Sequence, residues 1–195
     1  MRIDRVFAVV LAAAASDAAG TGRSAVLDAA QVHEAIRWGM TASDNDLQQY
    51  VLQVAPTWTV NFDTPFLRVA QLARAWRKHG RDIKDKDVPP GIFTPDVHVY
   101  ALALLQPGVT TKVKSVQHVT IRTPGARDSI QPRSLRTNLN RARNRRDFGP
   151  AKIARSVHAV FDARDFVAGN ELRVDFEDGT HETIVLAAPL LAKAR

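Results

Sequence analysis

The most unusual chemistry in this sequence lies in one basic segment, Arg133 to Arg155. The segment holds eight arginines and lysines and one acid, whereas the rest of the chain holds 19 basic and 19 acidic residues. The whole net charge of +7 therefore comes from it. Because arginine can donate two hydrogen bonds to one phosphate, we predict an anion-binding site there. Its candidate residues are Arg136, Arg141, Arg143, Arg145, Arg146, Lys152 and Arg155.

Nucleic acid, acidic lipid headgroups and an acidic polymer are the partners that suit such a segment. Nucleic acid is the weaker candidate, because only Phe148 offers a ring for base stacking and no recognition motif occurs. The many asparagines and the weak apolar pattern predict a long, mobile loop between strands rather than a helix. The alternative interpretation is a solvated loop whose charge only aids solubility.

Histidine is the next residue type with chemical potential. His98, His118, His158 and His181 lie in or beside strand-like segments, and imidazole is a common zinc ligand. Sheet pairing could bring three of them together, but none belongs to an HxH or HExxH pattern. The sequence therefore predicts ordinary strand histidines, with no metal site and no cofactor.

Motifs that would identify an enzyme are missing from the sequence. It contains no GxSxG, GxxxxGK[ST] or GxGxxG pattern, and no cysteine for a thiol nucleophile, a thiolate metal site or a disulfide. Asp162, Asp165 and Glu171 are close in sequence, but their spacing does not predict a common cleft. The sequence favours a protein without catalytic activity, and a hydrolase with a site of strand-borne histidines and aspartates is an alternative.

The first 15 residues resemble a secretory signal peptide. Arg2 and Arg5 precede an apolar run of ten residues, and Ala13 and Ala15 suit a signal peptidase. The run is shorter than the roughly 20 residues of a membrane-spanning helix. We predict a signal peptide and leader over residues 1–19, and hence a periplasmic or secreted protein. If these residues instead form a strand or an Ala-rich helix, the protein is cytoplasmic.

Helix signals dominate the section from 24 to 80. The sequence predicts one helix capped by Ser24 and ended by Gly39, and a short second helix over Asp46 to Leu52. Thr64 precedes a proline and an apolar stripe at helical spacing, so it caps the best helix in the chain, which Gly80 ends. The charged stretch that follows, Arg81 to Pro95, is predicted to be a solvated loop.

Strand signals dominate after Val97, and turn residues separate them. Pro132 lies within an expected edge strand, because proline cannot donate to a sheet ladder. The predicted strands are Thr57 to Phe62, Val97 to Leu105, Val113 to Thr123, Ile130 to Leu135, Ser156 to Asp162, and the hairpin from Glu171 to Leu186.

The register of that hairpin can be derived from the alternation of apolar and polar residues along its strands. A two-residue loop at Asp178 and Gly179 would leave Ile184 and Leu186 on the polar face. A three-residue loop over Glu177 to Gly179 brings both onto the apolar face, with Glu182 as the one misfit. The pattern therefore predicts the three-residue loop, with Gly179 in the left-handed region.

Together these signals predict an α+β protein, with a helical N-terminal section over 24–80 followed by an antiparallel β-sheet or β-sandwich over 97–188 that carries the basic insertion 133–155. The layout resembles that of small exported bacterial proteins, a likeness that transfers no site residues. We expect an exported, non-enzymatic module that binds an anionic surface or polymer. A cytoplasmic nucleic-acid-binding protein and a hydrolase are the alternatives.

Overall fold

The computed structural model describes residues 27–43, 46, 50–55, 57–105, 113–144 and 152–187. Short 3-10 turns lie at Asp85–Asp87, Pro90–Phe93 and Ala163–Asp165. The helices are α1 (Ala29–Thr41) and α2 (Pro65–Lys78), and the strands are β1 (Val51–Ala55), β2 (Trp58–Asp63), β3 (Asp96–Leu105), β4 (Val116–Arg122), β5 (Ser129–Ile130), β6 (Ser134–Asn144), β7 (Lys152–Asp162), β8 (Glu171–Phe176) and β9 (His181–Val185).

These elements confirm the predicted α+β class. A five-stranded sheet has the order β1-β2-β3-β7-β6, and a four-stranded sheet has the order β5-β4-β8-β9. All strand pairs in both sheets are antiparallel. Strands β1 and β2 come from the section expected to be helical, so the larger sheet joins the two halves of the chain.

Both sheets enclose one hydrophobic core. On β2, Trp58, Val60 and Phe62 are buried while the alternate residues Thr59 and Asn61 are half-buried, which is the pattern of a strand with one face in the core. The rings of Trp58 on the larger sheet and Phe176 on the smaller sheet lie 6.0 Å apart. Since residues of both inner faces belong to the same buried cluster, the sheets pack as a β-sandwich.

The hairpin β8–β9 has the register predicted from the sequence. Leu172 is opposite Ile184 and Val174 is opposite Glu182. Gly179 has φ +76°, and the Phe176 amide donates to the Thr180 carbonyl 2.9 Å away across the loop. The apolar face therefore decided the loop length, as expected from the cost of turning every side chain over.

The first helix differs from the expectation at both ends. Asp28, rather than Ser24, is the cap, and its carboxylate accepts from the Gln31 amide at 2.8 Å. The helix continues through Gly39 to Thr41. Gly39 is there for close packing, because a Cβ at this position would lie 2.1 Å from the Ala70 carbonyl oxygen on α2. A glycine that permits helix contact was thus misinterpreted as a terminator.

The second helix begins and ends as predicted. The Thr64 hydroxyl accepts from the Leu67 amide at 3.2 Å, Pro65 takes the first helical position, and Gly80 has φ +67°. The expected solvated loop after it was wrong in part. Ile83 and Val88 are buried against the two helices, because their side chains complete the apolar cluster between α1 and α2.

The expected short helix over Asp46 to Leu52 is also wrong at its end. Val51 and Leu52 belong to β1, where they pair with Asn61 and Val60 of β2. The predicted strand over Thr57 to Phe62 is confirmed as β2. The neighbouring strand, which local spacing does not report, decided the conformation of residues 51 and 52.

The basic segment is not the predicted mobile loop over most of its length. Ser134–Asn144 and Lys152–Asp162 form β6 and β7, which pair with each other. The expected edge strand over Ile130 to Leu135 divides at Pro132, so that β5 joins the smaller sheet and β6 the larger one. Pairing with β7 stabilises β6 although its own composition is a weak strand signal.

The predicted signal peptide lies outside the described residues. Across the described ranges, none of the helices is long and apolar enough to cross a membrane.

Candidate functional site

Polar and titratable side chains gather on the outer face of the five-stranded sheet. Antiparallel register places Asn61, Tyr100, His158 and Arg136 in one row across β2, β3, β7 and β6. Side chains directly opposite in such a sheet lie about 4.5–5.5 Å apart at Cβ, so the row forms one continuous surface. We call the set His98, Tyr100, His158, Arg136 and Asp63 the histidine face.

The two histidines and the tyrosine of this face contact one another. His158 Nε2 lies 3.2 Å from His98 Nδ1, a hydrogen bond in which one ring donates and the other accepts. The Tyr100 hydroxyl lies 3.4 Å from the same His98 nitrogen. The rings of Tyr100 and His158 are stacked, with centroids 4.5 Å apart and planes 3° from parallel.

That stacking fixes what the rings present to a ligand. The 4.5 Å separation is close to the strand spacing of about 4.8 Å, so the rings stand side by side over the sheet. Rings that stand in this way turn their edges outward and cover each other's faces. The surface therefore offers ring nitrogens and a hydroxyl for hydrogen bonding, rather than a flat platform on which a nucleic-acid base could stack.

The surroundings keep both histidines uncharged at neutral pH. Burial lowers the pKa of His98, and Arg68 and His158 lower it further, while Asp96 acts in the opposite direction. Burial also lowers the pKa of His158, with a further contribution from Arg136. Apart from Asp96, these causes disfavour the imidazolium form, so the neutral pair holds one proton in its shared hydrogen bond.

Asp63 and Arg68 complete this end of the face. Asp63 is opposite His98 in the sheet, and its Oδ1 is buried without a hydrogen-bond partner among the described residues. Burial raises the pKa of Asp63 to about 6, although Arg68 lowers it. Arg68, in the first turns of α2, donates from Nη2 to the carbonyls of Thr94 and Asp96 at 2.9 and 3.0 Å.

The sequence-predicted anion-binding residues do not all reach this face. Arg136 is exposed and adjoins His158 there. Arg155 is opposite buried Ala103, so it belongs to the inner side of the sheet. Arg141 and Arg143 lie in β6 and Lys152 lies at the start of β7. Arg145 and Arg146 fall outside the described residues.

Arg133, the first cation of the basic segment, has a structural role. It bridges two carboxylates, donating from Nη1 to Asp96 at 2.8 Å and from Nη2 to Asp162. Asp162 also pairs with Arg164 at 2.6 Å, and these contacts hold its pKa below the usual range, that with Arg164 most strongly. Arg133 is therefore neutralised and ties β6 to the ends of β3 and β7.

Sequence reasoning missed the grouping of His98, Tyr100 and His158. Alternation within VHVYALALL places His98 and Tyr100 on one strand face, so that half of the signal was present. Strand order then put β7 beside β3, whereas His118 and His181 went to the other sheet, on either side of Asp175. Within the described ranges, no three histidine, aspartate or glutamate side chains are placed to hold a metal ion.

Two open depressions lie in the helical part of the molecule. One is lined by residues that include Arg74, Arg77 and Lys78, and the other by residues that include Leu27 and Phe93. Neither includes a residue of the histidine face.

Comparison with known proteins adds no functional assignment. No protein-family model matches the chain, and no curated protein matches it. The chain is similar to a crystal structure of a Burkholderia pseudomallei protein described as novel and of unknown function. The two share 11% sequence identity with a TM-score of 0.40, and the match covers 85% of this chain and 93% of the other. At that level the likeness supports no inference about this chain.

Proposed function

We propose that this protein is an exported, non-enzymatic module that binds a linear, phosphate-bearing polymer along the β6–β7 hairpin and the adjoining histidine face. The observation that carries the proposal is the row that joins exposed Arg136 to His158 and Tyr100 on one sheet surface. Arginine and imidazole edges in that row are hydrogen-bond donors suited to oxyanions. The unbalanced positive charge of the segment supplies long-range attraction.

The geometry favours a polymer chain over a membrane surface. His98, Tyr100 and His158 are half-buried, so a flexible chain reaches their edges more readily than a flat layer of headgroups does. The exposed large apolar residues among the described ones, Leu135, Val167 and Val185, include none of the outer-face row. The face therefore lacks the apolar anchors that assist interfacial binding.

Base-specific nucleic-acid binding and hydrolysis receive less support. The upright rings offer no stacking platform to a base. The His98 and His158 rings are bonded directly to each other at 3.2 Å, so no reacting group lies between them as it would between a general acid and a general base.

The binding proposal can be tested with long-chain inorganic polyphosphate as the probe. The variant R143S/R145S/R146S should bind at least about tenfold more weakly than wild type at low salt, and the slope of log affinity against log salt should become shallower by about one unit per arginine. R81S/R122S/R127S is the matched control, since it removes three exposed cations elsewhere and should bind as wild type does.

Two further probes separate the partner classes. Single-stranded DNA of the same charge should bind no more tightly than polyphosphate, and anionic vesicles should bind more weakly. DNA that binds about tenfold more tightly would instead identify a nucleic-acid-binding protein. Equal loss of polyphosphate binding in both triple variants, or no binding by wild type, would contradict the proposal.

Export has its own test. The signal-like layout of residues 1–15 supports cleavage near Ser16. Mass spectrometry of the protein expressed in bacteria should show a mature N-terminus there. An intact Met1 in the soluble cytoplasmic fraction would exclude export and leave the binding proposal standing.

A further inference from the structure

The unused hydrogen-bonding capacity of the histidine face lies in the two histidines. His98 Nδ1 and His158 Nε2 are occupied by their mutual contact. The other ring nitrogens, His98 Nε2 and His158 Nδ1, have no hydrogen-bond partner among the described residues, and neither is among the buried unsatisfied atoms. Both are therefore open to solvent and to a ligand.

Proton counting shows what these two nitrogens can do. When the pair is neutral, one ring donates to the other, which leaves one free nitrogen as a donor and the other as an acceptor. An oxyanion offers only acceptors, so the neutral pair meets it with a single donor and one repelling lone pair. One added proton turns both free nitrogens into donors and gives the pair one positive charge.

We propose that His98 and His158 form a single proton-linked oxyanion site, which takes up one proton as it binds a phosphate group of the polymer. This inference rests on the proposed function and names the way in which that site is regulated. It predicts that binding becomes tighter in acid, over the range in which histidine titrates.

The charged groups around the pair favour this behaviour. Arg136 on β6 and Arg68 on α2 face the histidines and disfavour their charge when the site is empty. A bound anion beside the same rings opposes those cations and raises the proton affinity of the pair. Asp96 acts in the same direction as the anion. The Tyr100 hydroxyl stays protonated, because burial and Asp63 raise its pKa.

Any test must distinguish the protonation of Asp63 from that of the histidines. Asp63 is opposite His98 and its pKa is about 6, so it also gains a proton as the solution is acidified. Losing that negative charge would itself assist an anion. The D63N variant removes this contribution and leaves the histidine pair intact.

The experiment measures polyphosphate binding by titration calorimetry at about pH 7.5 and about pH 5.5, in two buffers of different ionisation enthalpy. In the D63N background we expect binding about tenfold tighter at the lower pH, with uptake of about one proton per site. Adding H98Q or H158Q should weaken binding only modestly at the higher pH, where the neutral pair offers one donor, and should remove most of the gain in acid.

H118Q/H181Q is the matched control, because both residues are exposed histidines of the other sheet. It should keep the full pH dependence. Binding that is present but equal at both pH values, or an acid gain that survives H98Q and H158Q, would overturn the proton linkage and leave the proposed function intact. Absence of binding at both pH values would overturn the proposed function. Circular dichroism confirms that each variant is folded.

Discussion

The outer faces of the two sheets are built from the same alternation but satisfy their polar groups differently. On the four-stranded sheet, Arg173 donates from Nε to Asp175 at 2.7 Å. Exposed His118 and His181 lie on either side of that carboxylate. On the five-stranded sheet, Asp63 has a buried oxygen without a hydrogen-bond partner in the part of the chain that the structure describes, and His98 and His158 bond to each other.

The difference separates a solvated surface from a candidate site. Both faces carry charged residues and a pair of histidines, so composition does not distinguish them. What distinguishes them is that one face neutralises its charges locally, whereas the other holds groups with raised or lowered pKa values and unused hydrogen-bonding capacity. Perturbed titratable groups of this kind are typical of functional sites. The three predictions that follow test whether the contrast is real.

The largest effect is expected from the same substitution made on each face. D63N should stabilise the fold at neutral pH by up to about 3 kcal/mol, because the pKa of about 6 means that the folded state disfavours the carboxylate. Below the ordinary aspartate pKa, the Asp63 carboxyl is protonated in both the folded and the unfolded chain, so it does not lower the free energy of unfolding. The destabilisation grows as pH rises and is complete above about pH 6. Urea unfolding at several pH values measures the gain.

D175N is the counterpart on the other sheet. It loses the ion pair with Arg173, so it should destabilise the fold by less than about 1 kcal/mol. Destabilisation by both substitutions at neutral pH would show that Asp63 is satisfied after all, and the contrast between the faces would fail.

An intermediate effect is expected from acidification. The lowered pKa values of His98 and His158 mean that the unfolded chain takes up protons first, so their contribution to stability is complete above the ordinary histidine pKa. It is lost as pH falls through that value towards the lowered one. Both rings are half exposed, so the loss should be at most about 1 kcal/mol after solvent screening.

The measurement uses the D63N background, because Asp63 has the opposite pH dependence. H98Q/H158Q should flatten the stability profile between about pH 7 and pH 5, and H118Q/H181Q should leave it unchanged. An identical slope in the two double variants would show that the histidine pair is no more perturbed than surface histidines.

The smallest effect is expected from the Arg173–Asp175 pair itself. A double-mutant cycle with R173A and D175N should give a coupling energy of about 0.2–1 kcal/mol that declines with added salt, since both side chains contact solvent. A larger coupling that salt does not change would place this pair in a desolvated network and make the smaller sheet resemble the histidine face.

The two hairpins show why sequence reasoning succeeded in one place and failed in another. In β8–β9, the apolar residues Leu172, Val174 and Phe176 needed one particular register to share a face with Ile184, so local pattern was enough. In β6–β7, the asparagines and arginines gave no comparable pattern. That segment became strand because β3 provides an antiparallel partner for β7, which in turn pairs with β6.

The candidate site, too, was predicted from the sequence only in part. The charged neighbourhood of Arg136 made it a candidate anion-binding residue, and the sequence placed all four histidines in or beside strands. It did not identify which two would meet. It also did not show that Asp63 would lie opposite His98 or that Arg155 would belong to the other side of the sheet.

By itself the sequence determined the α+β class, the cap and end of α2, the β8–β9 loop and the place of the excess charge, because each depends on residues near one another in the chain. The tertiary structure decided the strand order, the pairing of His98 with His158 and the desolvation of Asp63. Those features arise from contacts between residues distant in sequence, and the free energies of such contacts are set by packing that no local pattern records.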